Sequence, residues 1–301
     1  MLQTLFLVGA VNLHNETECD IWANRDECSK NPGFMLNQCQ SSCEKFGVVK
    51  RSYEARCPMK KDKGVLKPNE MQKIFDDILK NYPELEPELV SKDPPMIVFD
   101  AFASYEETNA FIEYGQGKYT RSTGLEMKKD GSYGSVQTPI RTSANTWCQE
   151  KKCLENELIA NVTQRVSLVT QTPERNFEFA QLLYYHSCEH PAATNCSFYK
   201  RHHDYIASDI HKNQGVRIFT CFIYLNDVEE GGSTVFDVGI SVKPKKGRAV
   251  LWPSVKMESP HESDERTYHE ALPVTKGEKF AANFWIHQYD FKTPHAKGCT
   301  M

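Results

Sequence analysis

What the chain lacks narrows its possible roles first. No apolar run is long enough to cross a bilayer: the longest near the start, LFLVGAV, falls far short of the roughly 20 residues a spanning helix needs. No Lys or Arg precedes that run, so it reads as the remnant of a signal-peptide h-region at a start that is incomplete or trimmed. Membrane anchoring is then expected only if an upstream segment is missing. No basic block is present either, and the net charge of −4 is spread along the 301 residues, which gives no case for nucleic acid as a partner. No internal repeat is evident, and nothing in the sequence indicates an oligomeric state.

Cysteine, by contrast, is abundant. Eleven are present, several in close pairs, beside three Asn-x-Ser/Thr triplets at Asn15, Asn161 and Asn195. Together they point to an oxidising secretory compartment, the endoplasmic reticulum lumen or beyond, and to a glycoprotein. An odd count leaves one thiol over, and Cys221 in the apolar run RIFTCFIYL is the natural buried thiol. Cys148 and Cys153 are close enough to pair, as are Cys188 and Cys196, whereas the pairing of Cys57 and Cys299 stays open.

Residues 19–57 are poor in aliphatic side chains and carry Cys19, Cys28, Cys39 and Cys43, so crosslinks must replace a core there. Four cysteines allow three connectivities. The features Cys19-Asp20-x-Trp22-Ala23, Asn31-Pro32-x-Phe34-Met35 and Cys39-x-x-x-Cys43 resemble the ShK-type module. That family normally has six cysteines; here the first is absent and Phe46 stands at the last position. The resemblance implies Cys19–Cys39 and Cys28–Cys43.

Residues 1–18 are then the leader remnant, and 58–94 read as a charged, turn-rich linker holding one helix. In that helix Met71, Ile74, Phe75, Ile78 and Leu79 follow helical spacing, with Asn69 as N-cap. MIVFD reads as a strand, and Ser104 with Glu107 has capping-box spacing for a helix ending at Gly115. A second amphipathic helix is expected over 154–169 with Leu158, Val162 and Val169 toward the core. Beyond residue 180 the texture is short β-rich runs broken by Gly, Pro and Asp, as in a sandwich, barrel or jelly roll.

Within that shell lies FYKRHHDYIASD. Composition alone supplies about one His-x-acid triplet in such a chain, so His202-x-Asp204 must be judged by its company. Two residues apart on an extended segment, His202 and Asp204 project to one side, and His203 points away. His269, on a later strand, is the candidate third ligand. Two histidines and one carboxylate with open positions is the arrangement of non-haem Fe(II) oxygenases. Lys279, in the same run as Phe280 and Trp285, is a candidate for a buried cation needing an anion, which a metal-chelating dicarboxylate would supply. Gly231-Gly232 reads as a turn.

These blocks resemble the catalytic domain of 2-oxoglutarate- and iron-dependent prolyl 4-hydroxylases. The matches run from IVFDAFASYEE through IRTS at 140–143, Tyr199-x-x-His202-x-Asp204, Arg217-x-x-Thr220, YLNDVEEGGSTVF and VKPKKGRAVLW. They continue with His269 and end with Gly277-x-Lys279-Phe280-x-x-Asn283-x-Trp285-Ile286-His287. The resemblance implies a mainly β, α+β architecture, a double-stranded β-helix (jelly roll) over 95–301, behind the disulfide-rich module. It implies His202, Asp204 and His269 on Fe(II), and Lys279 on 2-oxoglutarate with help from Tyr185, Thr234 and Trp285. Tyr199, Arg217, Trp285 and His287 match peptide-groove positions. The implied reaction hydroxylates peptidyl proline with O2 while 2-oxoglutarate becomes succinate and CO2, with ascorbate as reductant and a proline-rich peptide as partner. The segments HSCEHPAATNCSF and SANTWCQEKKCLEN depart from the family's pattern beside the groove, so they bear on substrate preference. The competing readings are another 2-oxoglutarate oxygenase such as a peptidyl lysine hydroxylase, and a catalytically silent secreted binding protein.

Overall fold

The computed structural model describes residues 11–45, 63–127, 133–188, 196–297 and 299–300. Four short helices, α1 (Glu16–Asn24), α2 (Glu27–Lys30), α3 (Pro32–Gln38) and α4 (Gln40–Lys45), form the N-terminal module. Its disulfides are Cys19–Cys39 and Cys28–Cys43, and the buried apolar residues around them are few: Ala23, Met35 and Leu36. Asn15 caps α1, its side chain accepting from the Glu18 N–H. Phe46, Cys57 and Asn195 lie outside the described residues. Cys299 is disulfide-bonded, Cys148–Cys153 and Cys188–Cys196 are paired, and Cys221 is a buried free thiol.

The rest is a jelly roll of two facing antiparallel sheets. The major sheet has eight strands in the order β1-β2-β13-β9-β16-β7-β6-β3, in which β3 is Thr120–Arg121. The minor sheet has four in the order β12-β11-β14-β8, in which β12 is Ser241–Val242. In two separate two-stranded sheets, β4 (Gly124–Met127) pairs with β5 (Tyr133–Val136), and β10 (Glu230–Gly231) with β15 (Val274–Lys276). Major-sheet strands include β1 (Pro87–Lys92), β2 (Pro95–Phe99), β6 (Ala144–Trp147), β7 (Gln181–His186), β9 (Arg217–Tyr224), β13 (Ala249–Pro253) and β16 (Glu278–His287). The minor sheet holds β8 (Tyr199–His202), β11 (Thr234–Phe236) and β14 (His269–Ala271). Strand alternation sorts the side chains. On β9, Phe219, Cys221 and Ile223 pack outward under the helices, whereas Phe222 and Tyr224 face inward with Val250, Trp252 and Phe236. The site is built on that inner face.

Three helices cover the outer face: α5 (Met71–Asn81), α6 (Tyr105–Gly115) and, after the single-turn α7 (Lys151–Leu154), α8 (Glu157–Thr170). The Ser104–Glu107 capping box on α6 is present, and the Glu107 carboxylate also receives both Arg165 amino groups at 2.9 Å, tying α6 to α8. Three local expectations are corrected. Asn69 does not cap α5: it takes a left-handed conformation (φ 64°), and its N–H goes to the Met257 carbonyl. Leu158 is 38% exposed: with Asn156 as N-cap the helix begins at Glu157, about one turn later than the expected 154, and Ile159 takes the core position. Residues 63–94 are not a linker: Leu66 is buried and pairs by backbone with the Gln288 amide, β1 joins the major sheet, and Phe75 packs 6.1 Å from Phe219. Phe75→Ala is therefore expected to cost about 3–5 kcal/mol of catalytic-domain stability; a urea midpoint that does not move would show that α5 is dispensable.

Candidate metal and ketoacid site

The pairing of β14 with β8 sets His269 directly opposite His202, and Asp204 follows two residues after His202. One ligand atom from each of the three lies within 4.8 Å of the others. Nε2 of His202 is 4.0 Å and Nε2 of His269 3.7 Å from the Asp204 carboxylate oxygens. The other ring nitrogens fix the tautomers. His202 Nδ1 sits 2.8 Å from the Lys200 carbonyl and His269 Nδ1 3.0 Å from that of Thr267. A carbonyl only accepts, so each Nδ1 carries the proton and each Nε2 lone pair is free to ligate. The Thr220 hydroxyl donates to Asp204 Oδ2 at 2.7 Å and orients the carboxylate.

The protonation states suit a cation as well. Burial, and then the neighbouring His269, push His202 well below its usual range, and burial also lowers His269. Burial opposes ionisation of Asp204, yet the two imidazoles, Arg217 and the Thr220 hydroxyl hold it at about 2. His203 takes no part: its Nε2 donates to the Asp264 carbonyl at 3.0 Å, and the Tyr205 N–H donates to its Nδ1 at 2.8 Å. It braces the loop from behind. His211 is exposed and outside the cluster.

Deeper in the barrel, Lys279 is wholly buried. Its ammonium donates to the Gly232 carbonyl at 2.6 Å and lies 4.8, 5.2 and 5.3 Å from the ring centroids of Tyr185, Phe222 and Tyr224. Among the described residues it has no ion-pair partner, and burial drags its pKa down to about 7. A buried cation without an anion is costly; one that awaits a dianionic ligand is explained. The Gly231-Gly232 segment is thus more than a turn. A Cβ on Gly231 (φ 79°) would lie 2.4 Å from the Pro273 carbonyl oxygen, so only glycine lets the chain pass there and present the next carbonyl to Lys279.

The narrow cavity beside the cluster is lined by Tyr185, Thr234, Trp252, Asn283 and Trp285 together with His202 and His269. Three buried polar atoms there, Trp252 Nε1, Trp285 Nε1 and Asn283 Oδ1, have no hydrogen-bond partner. Orphaned polar atoms around a cavity, a lone ammonium and a two-histidine, one-carboxylate donor set fit a chelating ketoacid on a divalent metal. Thr234 accepts from the Tyr224 hydroxyl at 2.8 Å. Tyr224 was not singled out by sequence reasoning; its inward phase on β9, shared with Thr220 and Phe222, was the available signal.

A wider cleft of about 500 Å³ opens outside the cluster. Tyr199 stacks on His202 with centroids 3.4 Å apart, and the Arg141 guanidinium lies 4.5 Å from its ring. The Arg217 guanidinium lies 3.7 Å from the Trp285 ring centroid and bonds Glu178 at 2.6 Å. Burial opposes ionisation of Glu178, but Arg217 and His287 bring it to about 2. Tyr199, Arg217 and Trp285 line the cleft. His287 does not. It is 1% exposed, with its ring nitrogens taken up by the Gly215 carbonyl (2.7 Å) and Glu178 (2.9 Å), so it supports Glu178 from below and cannot touch a peptide. Glu178 and Arg141, both missed as site residues, lie in irregular segments where no periodicity marks them.

Comparison with known proteins accords with this geometry. The family described as the 2OG-Fe(II) oxygenase superfamily matches residues 183–287, and the ShK domain-like family matches residues 11–45. Prolyl 4-hydroxylase 1 of Arabidopsis thaliana is 32% identical over 219 residues, covering 68% of this chain and 72% of the relative. Probable prolyl 4-hydroxylase 7 of the same plant is 30% identical over 233 residues, covering 70% and 68%. Among solved structures, a viral collagen prolyl hydroxylase from Paramecium Bursaria Chlorella virus-1, in its 2OG complex, is 25% identical. It superposes with a TM-score of 0.47 over 64% of this chain and 95% of that one.

Proposed function

Because the chain belongs to the prolyl 4-hydroxylase family of 2OG-Fe(II) oxygenases, we propose that it hydroxylates peptidyl proline at the cleft above His202, Asp204 and His269. The single observation that carries this reading is the shared aim of those three ligand atoms, within 4.8 Å of one another, with a buried ammonium, Lys279, deeper in the same barrel. In this reading Nε2 of His202 and of His269 and the carboxylate of Asp204 hold Fe(II), and Lys279 binds the distal carboxylate of 2-oxoglutarate. Tyr185, Thr234 and Trp285 complete that pocket. Bound together, iron and the ketoacid supply the oxidising power for C–H hydroxylation, as 2-oxoglutarate and O2 become succinate, CO2 and the inserted oxygen.

The chain's own residues do the rest. Thr220 keeps the Asp204 carboxylate turned toward the two imidazoles, and the Lys200 and Thr267 carbonyls keep each Nδ1 protonated and each Nε2 free. Tyr199, Arg217 and Trp285 line the approach, so an extended proline-rich segment, already ordered as a polyproline helix, presents a ring to the metal at low entropic cost. Four disulfides within the described residues and the three glycosylation triplets support a site of action in the endoplasmic reticulum lumen or the secretory pathway. Ascorbate is the expected reductant for oxidised iron.

The test is a panel of peptides, polyproline against Pro-Pro-Gly repeats, with lysine-containing controls, incubated with Fe(II), 2-oxoglutarate and ascorbate. The expected result is one added oxygen per modified proline, matched mole for mole by succinate. Succinate matched by modified lysine would reassign the enzyme within the oxygenases, and no succinate with any peptide would leave a binding protein.

A further inference from the structure

The segment SANTWCQEKKCLEN, which departs from the family's pattern, ends β6 with Trp147. Across the β6–β7 ladder Trp147 faces Gln181 and Asn145 faces Leu183. Directly opposed residues share a face, so Trp147 projects to the inner side of the barrel, at its mouth. There it lines the cleft together with Tyr199, Tyr205 and Trp285. Its ring lies 6.1 Å from that of Trp285 at 45°, and the Arg217 guanidinium lies 3.7 Å from the Trp285 ring centroid.

The backbone beneath Trp147 is tied down in three ways. The Tyr114 hydroxyl donates to the Trp147 carbonyl at 3.3 Å. The next residue, Cys148, donates its N–H to the Ala180 carbonyl at 2.9 Å and is crosslinked to Cys153. A half-buried indole held this firmly against a second indole is a preformed apolar platform, which loses little side-chain entropy on binding. A polyproline helix rises about 3 Å per residue and repeats every three, so each proline flanking the reacting one falls on a defined face, and the same face recurs about 9 Å along the axis.

We propose that Trp147 is a specificity-determining residue: paired with Trp285, it stacks against the pyrrolidine ring of a proline flanking the one that is hydroxylated. This selects repeated prolines over isolated ones, and it rests on the peptidyl-proline reading above.

The test is a double-mutant cycle between enzyme and peptide. Wild type, Trp147→Ala, Trp147→Phe and Trp147→Leu are assayed with a proline-repeat peptide and with versions in which each flanking proline in turn is alanine. One flanking replacement is expected to raise the wild-type KM about tenfold, the size of an aromatic stacking contact, with kcat within about twofold. Trp147→Ala should raise the KM of the parent peptide by a similar factor, and the same peptide replacement should then cost nothing further. The KM for 2-oxoglutarate should not change, and Phe should restore most of the loss where Leu does not. Additive effects at every flanking position, or Leu rescuing as well as Phe, would overturn the assignment, and the Phe–Leu comparison decides the matter should the Ala variant fail to fold. If wild type modifies none of the peptides, it is the underlying reading that fails.

Discussion

Replacing His202 with Ala is expected to lower 2-oxoglutarate turnover by about a thousandfold or more, because a lost ligand removes several kcal/mol of metal-centred stabilisation. The fold should tolerate it: His202 ends an edge strand of the minor sheet with 13% of its side chain exposed, and among the described residues its side-chain hydrogen bond is to a carbonyl two residues away. The neighbouring His203→Ala is the sharp control. Its imidazole bonds Asp264 and the Tyr205 N–H, facing away from the cluster. That variant should keep full iron stoichiometry and lose at most the tens-fold typical of supporting contacts. Calorimetric iron titration together with succinate production separates the two. Near-normal turnover in His202→Ala would remove it from the metal site.

The second large effect is at Lys279. Lys279→Met should weaken 2-oxoglutarate roughly 30- to 5,000-fold, the 2–5 kcal/mol that accompanies loss of one partner from a buried charged pair. The ligand-free protein should not suffer, since methionine fills the channel without an unpaired ammonium. A distinctive pH dependence goes with this. The folded-state pKa of Lys279, about 7, lies below the ordinary lysine value of 10.5. Between those values the unfolded chain holds a proton that the folded chain has released, so stability of the ligand-free wild type rises with pH across about 7 to 10.5. Below pH 7 both states are protonated and the full cost of the buried charge applies. The opposite sign governs the ligand: 2-oxoglutarate prefers the ammonium, so binding above pH 7 takes up a proton, detectable by calorimetry in buffers of different ionisation enthalpy. Lys279→Met should abolish both the rise and the uptake; a methionine variant that keeps its affinity for the ketoacid would place the anion elsewhere.

How much of this was legible beforehand depends on the range of the signal. Two-residue alternation put His202 and Asp204 on one side and His203 on the other, and the structure has them so. The capping box at Ser104, the buried thiol at Cys221 and the β-rich runs after residue 180 are also local signals, and each is found in place. Leu158 and Asn69 were misjudged because the phase and start of a helix depend on which neighbour caps it, here Asn156 in one case and a left-handed turn in the other. The supposed linker differs: helical spacing marked α5, but a charged, turn-rich composition hid Leu66 and the docking of both, which depends on partners such as Gln288 and Phe219 more than a hundred residues away in the chain. Glu178, Arg141 and Trp147 join the cleft only through strand pairing and irregular loops. His287 falls on a matching position, yet its strand end turns it under Glu178 and away from the groove.

The central claim is tested most directly by locating the metal itself. Crystals grown without oxygen in the presence of Fe(II) and 2-oxoglutarate should give one iron-edge anomalous peak, within coordination distance of Nε2 of His202, Nε2 of His269 and the Asp204 carboxylate, with the ketoacid's far carboxylate on Lys279. An iron peak bound by other side chains, or a ketoacid turned away from Lys279, would contradict the account.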